Sequence, residues 1–372
     1  MPRWPLLVVL VVLAAPSLTA CAGDEGESTS AASGASASIT ASGITTTIST
    51  TATSTAGSDG SSTGGSGSEG TSAAATSSGG DDTGGVKFDV AQETTGGATT
   101  GPDDSLCPCG DKLDLIYVLS DDRQLWTYDP MANAFAMVGP LGCPTQNGTF
   151  SMGVGRDGFA WVQDTALVDV INQTYIGDLY RLDVTNPQNC TDPGYTPGAG
   201  GWIHFGMAFV SHSESDPCDD LYGQHWNGVA GLWSEGPGVG KLGKFDPIAL
   251  QMNTIGATDY NGAELTGTGD GRIYAFGGVP DAKLIQFDKA TAQAIETIPF
   301  AGFPLTNAFA FAFWGGDFYF FTEANAGLPG AKSKVTRLDY DGDKSLTTVN
   351  AGAPIRVVGA GVSTCAPIMP PG

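Results

Sequence analysis

At 372 residues and a formal charge of −23, the chain is too acidic to hold a phosphate backbone, and no basic patch interrupts it, so nucleic acid is excluded as a partner. From Leu106 onward there are 14 basic and 28 acidic residues, a net −14, so the acidity extends into the part of the chain rich enough in apolar residues to fold. Charge of this sign suits a soluble envelope protein and draws divalent cations toward the surface.

Residues 1–20 have the form of a secretory signal. Arg3 supplies a positive start, and Leu6 to Ala15 is an apolar core too short to span a bilayer as a helix. The next four residues, Leu18-Thr19-Ala20-Cys21, resemble the lipobox of bacterial lipoproteins. That resemblance implies cleavage before Cys21 and acylation of its thiol, and so a membrane partner reached through the lipid anchor. Each buried methylene of such an anchor contributes about 0.8 kcal/mol. Ala22 follows where an Asp would signal inner-membrane retention in such lipoproteins, so the same resemblance implies the outer membrane, on its periplasmic or surface face.

Residues 21–105 are dominated by Ser, Thr, Gly and Ala. Such a composition cannot bury enough apolar surface to offset the entropy of ordering, and it predicts a disordered stalk. A flexible coil of about 85 residues has a mean reach on the order of 50 Å.

Residues 106–372 predict an all-β domain organised by a repeated word. It occurs as LWTYD (Leu125 to Asp129), LYRLD (Leu179 to Asp183), LGKFD (Leu242 to Asp246), LIQFD (Leu284 to Asp288) and VTRLD (Val335 to Asp339). Five copies at a fixed order of spacing are a repeat signature. Each reads as a strand closed by a turn in which the Asp side chain bonds backbone donors two residues on. Around each word the chain supplies further strand-like segments, four to a unit, A to D from the inside outward. Strand A is FSMGVG (Phe150 to Gly155), HFGMAFV (His204 to Val210), ELTGTGDG (Glu264 to Gly271) and AFAFAFWGGD (Ala308 to Asp317) in units two to five. Unit one lacks its strand A, and VVGAGVS (Val357 to Ser363) at the other end of the chain fits the vacancy. Small residues alternate in all of these segments, as inner strands crowded round an axis require. The prediction is a five-bladed β-propeller closed by its C-terminal strand, with no free sheet edges between blades. Six blades is the alternative if Asn186 to Gly201 hides further strands, and a β-sandwich is the weaker third choice.

The words ending in YDP, FDP and FDK, with Tyr274 to Gly278 (YAFGG), resemble Kelch-like and YVTN-like propellers. The resemblance implies the architecture over Leu115 to Thr364. It implies no activity, because propellers host many.

With Cys21 assigned to lipid, six cysteines remain: Cys107, Cys109, Cys143, Cys190, Cys218 and Cys365. An even number in an exported domain points to disulfides. Cys365 follows the inner strand of blade one and Cys109 precedes the next strand, so a bridge from Cys365 to Cys109 or Cys107 would staple the ring. Cys190 and Cys218 fall in loops assigned to one face and are expected to pair. One residue between Cys107 and Cys109 is not zinc-ligand spacing.

Strand starts at A and strand ends at B share one face, here called upper. Candidate ligand-binding residues there are Asn147, His204, His225, Glu264 and Asn307, while His212 falls on the lower face. Carboxylate and amide oxygens at strand starts resemble the ligands of lactonase-type propellers, and that resemblance implies Glu264 and Asn307 as metal ligands, with Ca²⁺ the preferred ion. Asp339, Asp341 and Asp343 alternate as in a calcium loop, but Gly342 stands at the wrong place, and a strand C to D turn is expected. Ser151 and Ser363 have no matched His and Asp, so no hydrolytic triad is assigned. The favoured function is non-enzymatic, a lipid-anchored envelope propeller binding a protein or glycan by its upper face, with Trp202, Trp226 and Trp314 as aromatic candidates. The rival is a metal-dependent small-molecule hydrolase or lyase using the same funnel.

Overall fold

The computed structural model of the chain describes residues 107–229, 233–279 and 281–371. The signal segment, Cys21 and the Ser/Thr/Gly-rich stretch lie outside the described residues. Blade one holds β1 (Ile116–Ser120), β2 (Gln124–Asp129) and β3 (Ala134–Pro140). Blade two holds β4 (Gly148–Val154), β5 (Phe159–Asp169), β6 (Thr174–Ile176), β7 (Leu179–Asp183) and β8 (Asn186–Thr191). Blade three is β9 (His204–Ser211), β10 (Asp219–Trp226), β11 (Ser234–Asp246) and β12 (Gln251–Asn261). Blade four is β13 (Glu264–Gly267), β14 (Ile273–Gly277), β15 (Lys283–Phe287) and β16 (Ala294–Pro299). Blade five is β17 (Phe309–Trp314), β18 (Asp317–Glu323), β19 (Ser333–Leu338) and β20 (Leu346–Asn350).

The last strand, β21 (Val357–Val362), returns to blade one and pairs antiparallel with β1, setting Ile116 opposite Val362. The sheet order there is β21-β1-β2-β3, so the chain's end supplies the inner strand of its first blade. The protein is a five-bladed β-propeller. Asn186–Thr191, where a sixth blade could have begun, is instead β8, the outer strand of blade two.

Every repeat word lies on the third strand of its blade. Asp129 Oδ1 accepts from the backbone N–H of Met131 and Ala132, Asp246 Oδ1 from Ile248 and Ala249, and Asp288 Oδ1 from Ala290 and Thr291. Asp183 Oδ1 accepts from Thr185. These bonds satisfy donors that the turn would otherwise leave bare, and they hold the Asp246 and Asp288 carboxyls below their usual range. The fifth word differs: after Asp339 the chain makes a longer turn over Tyr340 to Asp343, closed by Ser345 N–H donating to Asp343 Oδ1.

The core is not one mass but five interblade layers, one for each pair of neighbours. Blades one and five share Ile116, Tyr128, Phe321 and Val357, and blades one and two share Leu119, Leu125, Met152 and Leu182. Blades three and four share Val210, Leu242, Leu265 and Ile285, and blades four and five share Phe276, Phe311, Phe318 and Phe320. Blades two and three share Trp161, Trp202, Phe205 and Phe245. A blade buried on both faces needs no polar alternation. In β17 the alternation is of size: Phe309, Phe311 and Phe313 face blade four, while Ala310 and Ala312 face blade one. The axis is crowded as the small residues foretold. A Cβ added at Gly267 would lie 2.0 Å from the Phe209 carbonyl oxygen, and one at Gly206 would lie 2.3 Å from that of Ala263.

Three disulfides form: Cys109–Cys365, Cys107–Cys218 and Cys143–Cys190. The first is the expected ring staple, across 256 residues of sequence. The Cys190–Cys218 pairing is corrected. Cys190 sits on the outer strand β8 beside the loop carrying Cys143, whereas Cys218 enters β10 on the lower face, where the segment bearing Cys107 crosses. Three bridges place the domain in an oxidising, extracytoplasmic compartment. Among the described residues no helix is long and apolar enough to cross a membrane.

Candidate functional site

A cavity of about 340 Å³ opens where the five inner strands begin. Each blade contributes to it: Arg356 and Val358 from blade one, Thr149 and Phe150 from blade two, Gly206 and Trp226 from blade three, Glu264 from blade four, and Asn307 to Phe309 from blade five. This is the upper funnel that strand direction predicts. Thr165 and Tyr175 complete the wall from a hairpin, β5–β6, that grows out of blade two. The hairpin leans on blade three through a Tyr175 N–H bond to the Gly228 carbonyl, 2.8 Å.

The wall is aromatic. Phe150 and Trp226 stack at 5.4 Å between ring centroids and 8° between planes, and Trp226 and Trp233 stack at 6.4 Å and 10°. Phe309 meets Trp233 edge-on at 6.1 Å. Gly262 lets the two indoles sit where they do. Its φ of +85° is left-handed, and a Cβ there would lie 2.7 Å from Trp226 Cδ1 and 2.6 Å from Trp233 Cδ1. The Trp226 indole N–H is buried with no acceptor among the described residues. That omission costs about 1–3 kcal/mol in general.

Glu264 stands at the start of β13 and is 5% exposed. Its carboxylate accepts from Ser151 Oγ at 2.8 Å, and Ser151 Oγ accepts in turn from the Met207 N–H at 3.1 Å. Burial pushes the Glu264 carboxyl up to about 8, with the Ser151 hydrogen bond pulling the other way. Neutral pH therefore finds it protonated. On the opposite side, Glu323 Oε1 accepts from Arg356 Nε at 2.7 Å, and Glu323 Oε2 accepts from the Asn307 N–H at 3.1 Å. Asp121 Oδ2 lies 3.5 Å from Arg356 Nη1. Arg356 is thus held between two carboxylates, and the rim is fixed before any ligand arrives.

The sequence-derived candidates separate in space. Glu264 and Asn307 line the cavity. Asn147 does not; its Nδ2 donates to Asp164 Oδ2 at 2.8 Å. His204 lies behind the wall, fully buried, with its ring 4.5 Å from Phe150 and Nδ1 3.2 Å from Gln163 Oε1. Burial drives its pKa down to about 3, so it is a neutral packing group. His225 turns the other way, against Trp202 at 5.8 Å, and burial with Lys241 nearby lowers it to about 4. His212 sits between Asp216 and Asp220 on the lower face. Of the three tryptophans singled out, Trp226 lines the cavity, Trp202 is fully buried between blades two and three, and Trp314 donates from its indole to the Asp114 carbonyl. Sequence reasoning missed Phe150, Tyr175, Trp233, Phe309 and Arg356. Single aromatics at strand starts carry no sign that they face a funnel instead of a neighbouring blade.

The donor set does not fit Ca²⁺. That ion takes about 6–8 oxygens, several of them carboxylate, and the side-chain oxygens of the lining are those of one carboxyl, Glu264, the Asn307 amide and the hydroxyls of Thr149, Thr165 and Tyr175. Among the described residues no group of three His, Cys, Asp or Glu is placed to hold an ion.

No family model matches the chain, and no curated protein matches it. Solved structures similar to it include an α-L-arabinofuranosidase from Clostridium thermocellum, at 12% identity and TM-score 0.37, over 57% of this chain and 75% of that one. A PQQ-bound aldose sugar dehydrogenase from Streptomyces coelicolor matches at 12% identity and TM-score 0.35, over 63% and 77%. An oligogalacturonate lyase in complex with manganese matches at 12% identity and TM-score 0.32, over 64% and 62%.

Proposed function

We propose that this chain is a lipid-anchored, stalked propeller of the bacterial cell envelope that binds a glycan in its upper funnel. The anchor and the outer-membrane address rest on the Leu18 to Cys21 resemblance. The glycan rests on one observation, an aromatic-walled cavity of about 340 Å³ with a few convergent polar groups. That volume is at the small-molecule end of binding sites, room for one or two sugar rings but not for a protein surface. A sugar ring presents C–H groups on its faces and hydroxyls round its edge. The half-buried rings of Phe150 and Trp233, backed by Trp226, suit the faces, while Glu264, Asn307 and the fixed Arg356 suit the edge. A protonated Glu264 donates a hydrogen bond as readily as it accepts one.

The hydrolase or lyase reading has less to stand on. Glu264 carries the proton a general acid needs, but among the described residues no second carboxylate lines the cavity to act as nucleophile or base, and the metal donors there are few. The test is a glycan array probed with the full chain. Capture of a discrete set of short sugars, lost in Trp233→Ala, supports the reading. Capture of none, or turnover of a bound sugar, contradicts it.

A further inference from the structure

Glu264 is a buried acid with no cation. Its hydrogen-bond partner is the neutral hydroxyl of Ser151, and among the described residues no Lys, Arg or His forms an ion pair with it. Arg356, the cationic side chain that shares the cavity, is already engaged by Glu323 and Asp121. Glu323, the buried acid across the cavity, is matched by contrast: its Oε1 accepts from Arg356 Nε at 2.7 Å. The aromatic planes beside Glu264 are the other half of a cation site, because the face of an indole or phenyl ring attracts positive charge.

Building on the glycan reading, we propose that the funnel selects a sugar bearing a free amino group, its ammonium seated against Glu264 and the aromatic wall. The charges balance. Ionised Glu264 offsets the ligand's ammonium, and Arg356 stays neutralised by two carboxylates. A low-dielectric site strengthens the attraction between the ammonium and Glu264 well beyond its value in water. Binding an ammonium to the protonated carboxyl displaces one proton to buffer. A neutral sugar displaces none. The acidic surface, −14 from Leu106 onward, concentrates such cations near the funnel. The groups facing Glu264 from the surrounding blades are Ser151 on β4, the neutral His204 behind Phe150, and Arg356 with Glu323 across the cavity.

The experiment is calorimetry on the full chain with glucosamine oligomers, their N-acetylated counterparts and glucose oligomers, in buffers of differing ionisation enthalpy. The expected result, at about pH 6 where the amine is an ammonium, is roughly tenfold tighter binding of the free-amine sugar than of the other two, about one proton released, and loss of that preference in Glu264→Gln. Equal or tighter binding of the N-acetylated or neutral sugars to the wild type overturns the amine selectivity and leaves the glycan site standing. So does tight amine binding without proton release, a readout that needs no variant to fold. If no sugar of any form binds, both readings fall.

Discussion

The two ends of the propeller put their buried polar groups to different uses. At the lower end Arg156, 5% exposed, donates from Nε to the Cys107 carbonyl and from Nη1 to Thr364, and its backbone N–H bonds Asp219. Two disulfides, Cys107–Cys218 and Cys109–Cys365, lock the segment before β1 against blade three and the chain's end. At the upper end, Glu264 is as deeply buried but has a hydroxyl for a partner and a cavity beside it. On the proposed reading, a buried carboxyl with no cation and open space beside it is kept for a ligand, so the lower end is a clasp and the upper end a candidate site.

Opening the clasp should have the largest effect. Cys109→Ser with Cys365→Ser removes a bridge across 256 residues, which should cost about 5 kcal/mol on a chain-entropy argument. Thermal melts with and without reductant measure it. Below the lowered melt, funnel binding should be unchanged, since neither cysteine lines the cavity. Gly262→Ala should do the reverse. The strained φ of +85° and the clash with both indoles should cost about 1–2 kcal/mol of stability, while sugar binding is lost because the aromatic wall must move.

Glu264 sharpens the contrast by pH. Its folded value is raised from the ordinary 4.5 to about 8, so the folded state holds a proton that the unfolded chain gives up between those values. Its contribution is complete below about 4.5 and is lost as pH rises through about 8. The melting temperature of the wild type should therefore fall more steeply over that window than that of Glu264→Gln, by at most about 1.4 kcal/mol per pH unit. Asp219, raised to about 6 by burial, titrates in both proteins and cancels in the difference. The smallest effect belongs to the repeat turns. Asp288→Ala removes two exposed bonds to backbone N–H and should lower the melt slightly, with no change in binding.

The architecture was legible because a propeller repeats. Leu242 to Asp246 carries the same pattern as Leu284 to Asp288, since both must bury a third strand and end in an Asp turn. The alternating small residues announced the axis, and the unpaired Val357 to Ser363 announced the closure. Elements that do not repeat were not legible. The β5–β6 hairpin occurs in one blade only, and it brings Tyr175 to the funnel. Trp233 and Phe309 look in sequence like the core aromatics Phe318 and Phe320. Only the position of each strand start about the axis tells them apart. The Cys190–Cys218 expectation failed because it ranked loops by face and ignored that β8 lies at the outer edge, next to blade one. Glu264 was found at a strand start, but its partner Ser151, 113 residues away, was not, since nothing local links them.

The central claim is that the upper funnel, and not the lower clasp, is the binding site. It is tested most directly by titrating the full chain with a short free-amine sugar while following tryptophan fluorescence, in the wild type and in Trp233→Ala. The account expects a saturable change in the wild type that the variant loses. No change with the amine sugar or with any neutral or N-acetylated one, or a variant that binds as the wild type does, would contradict it.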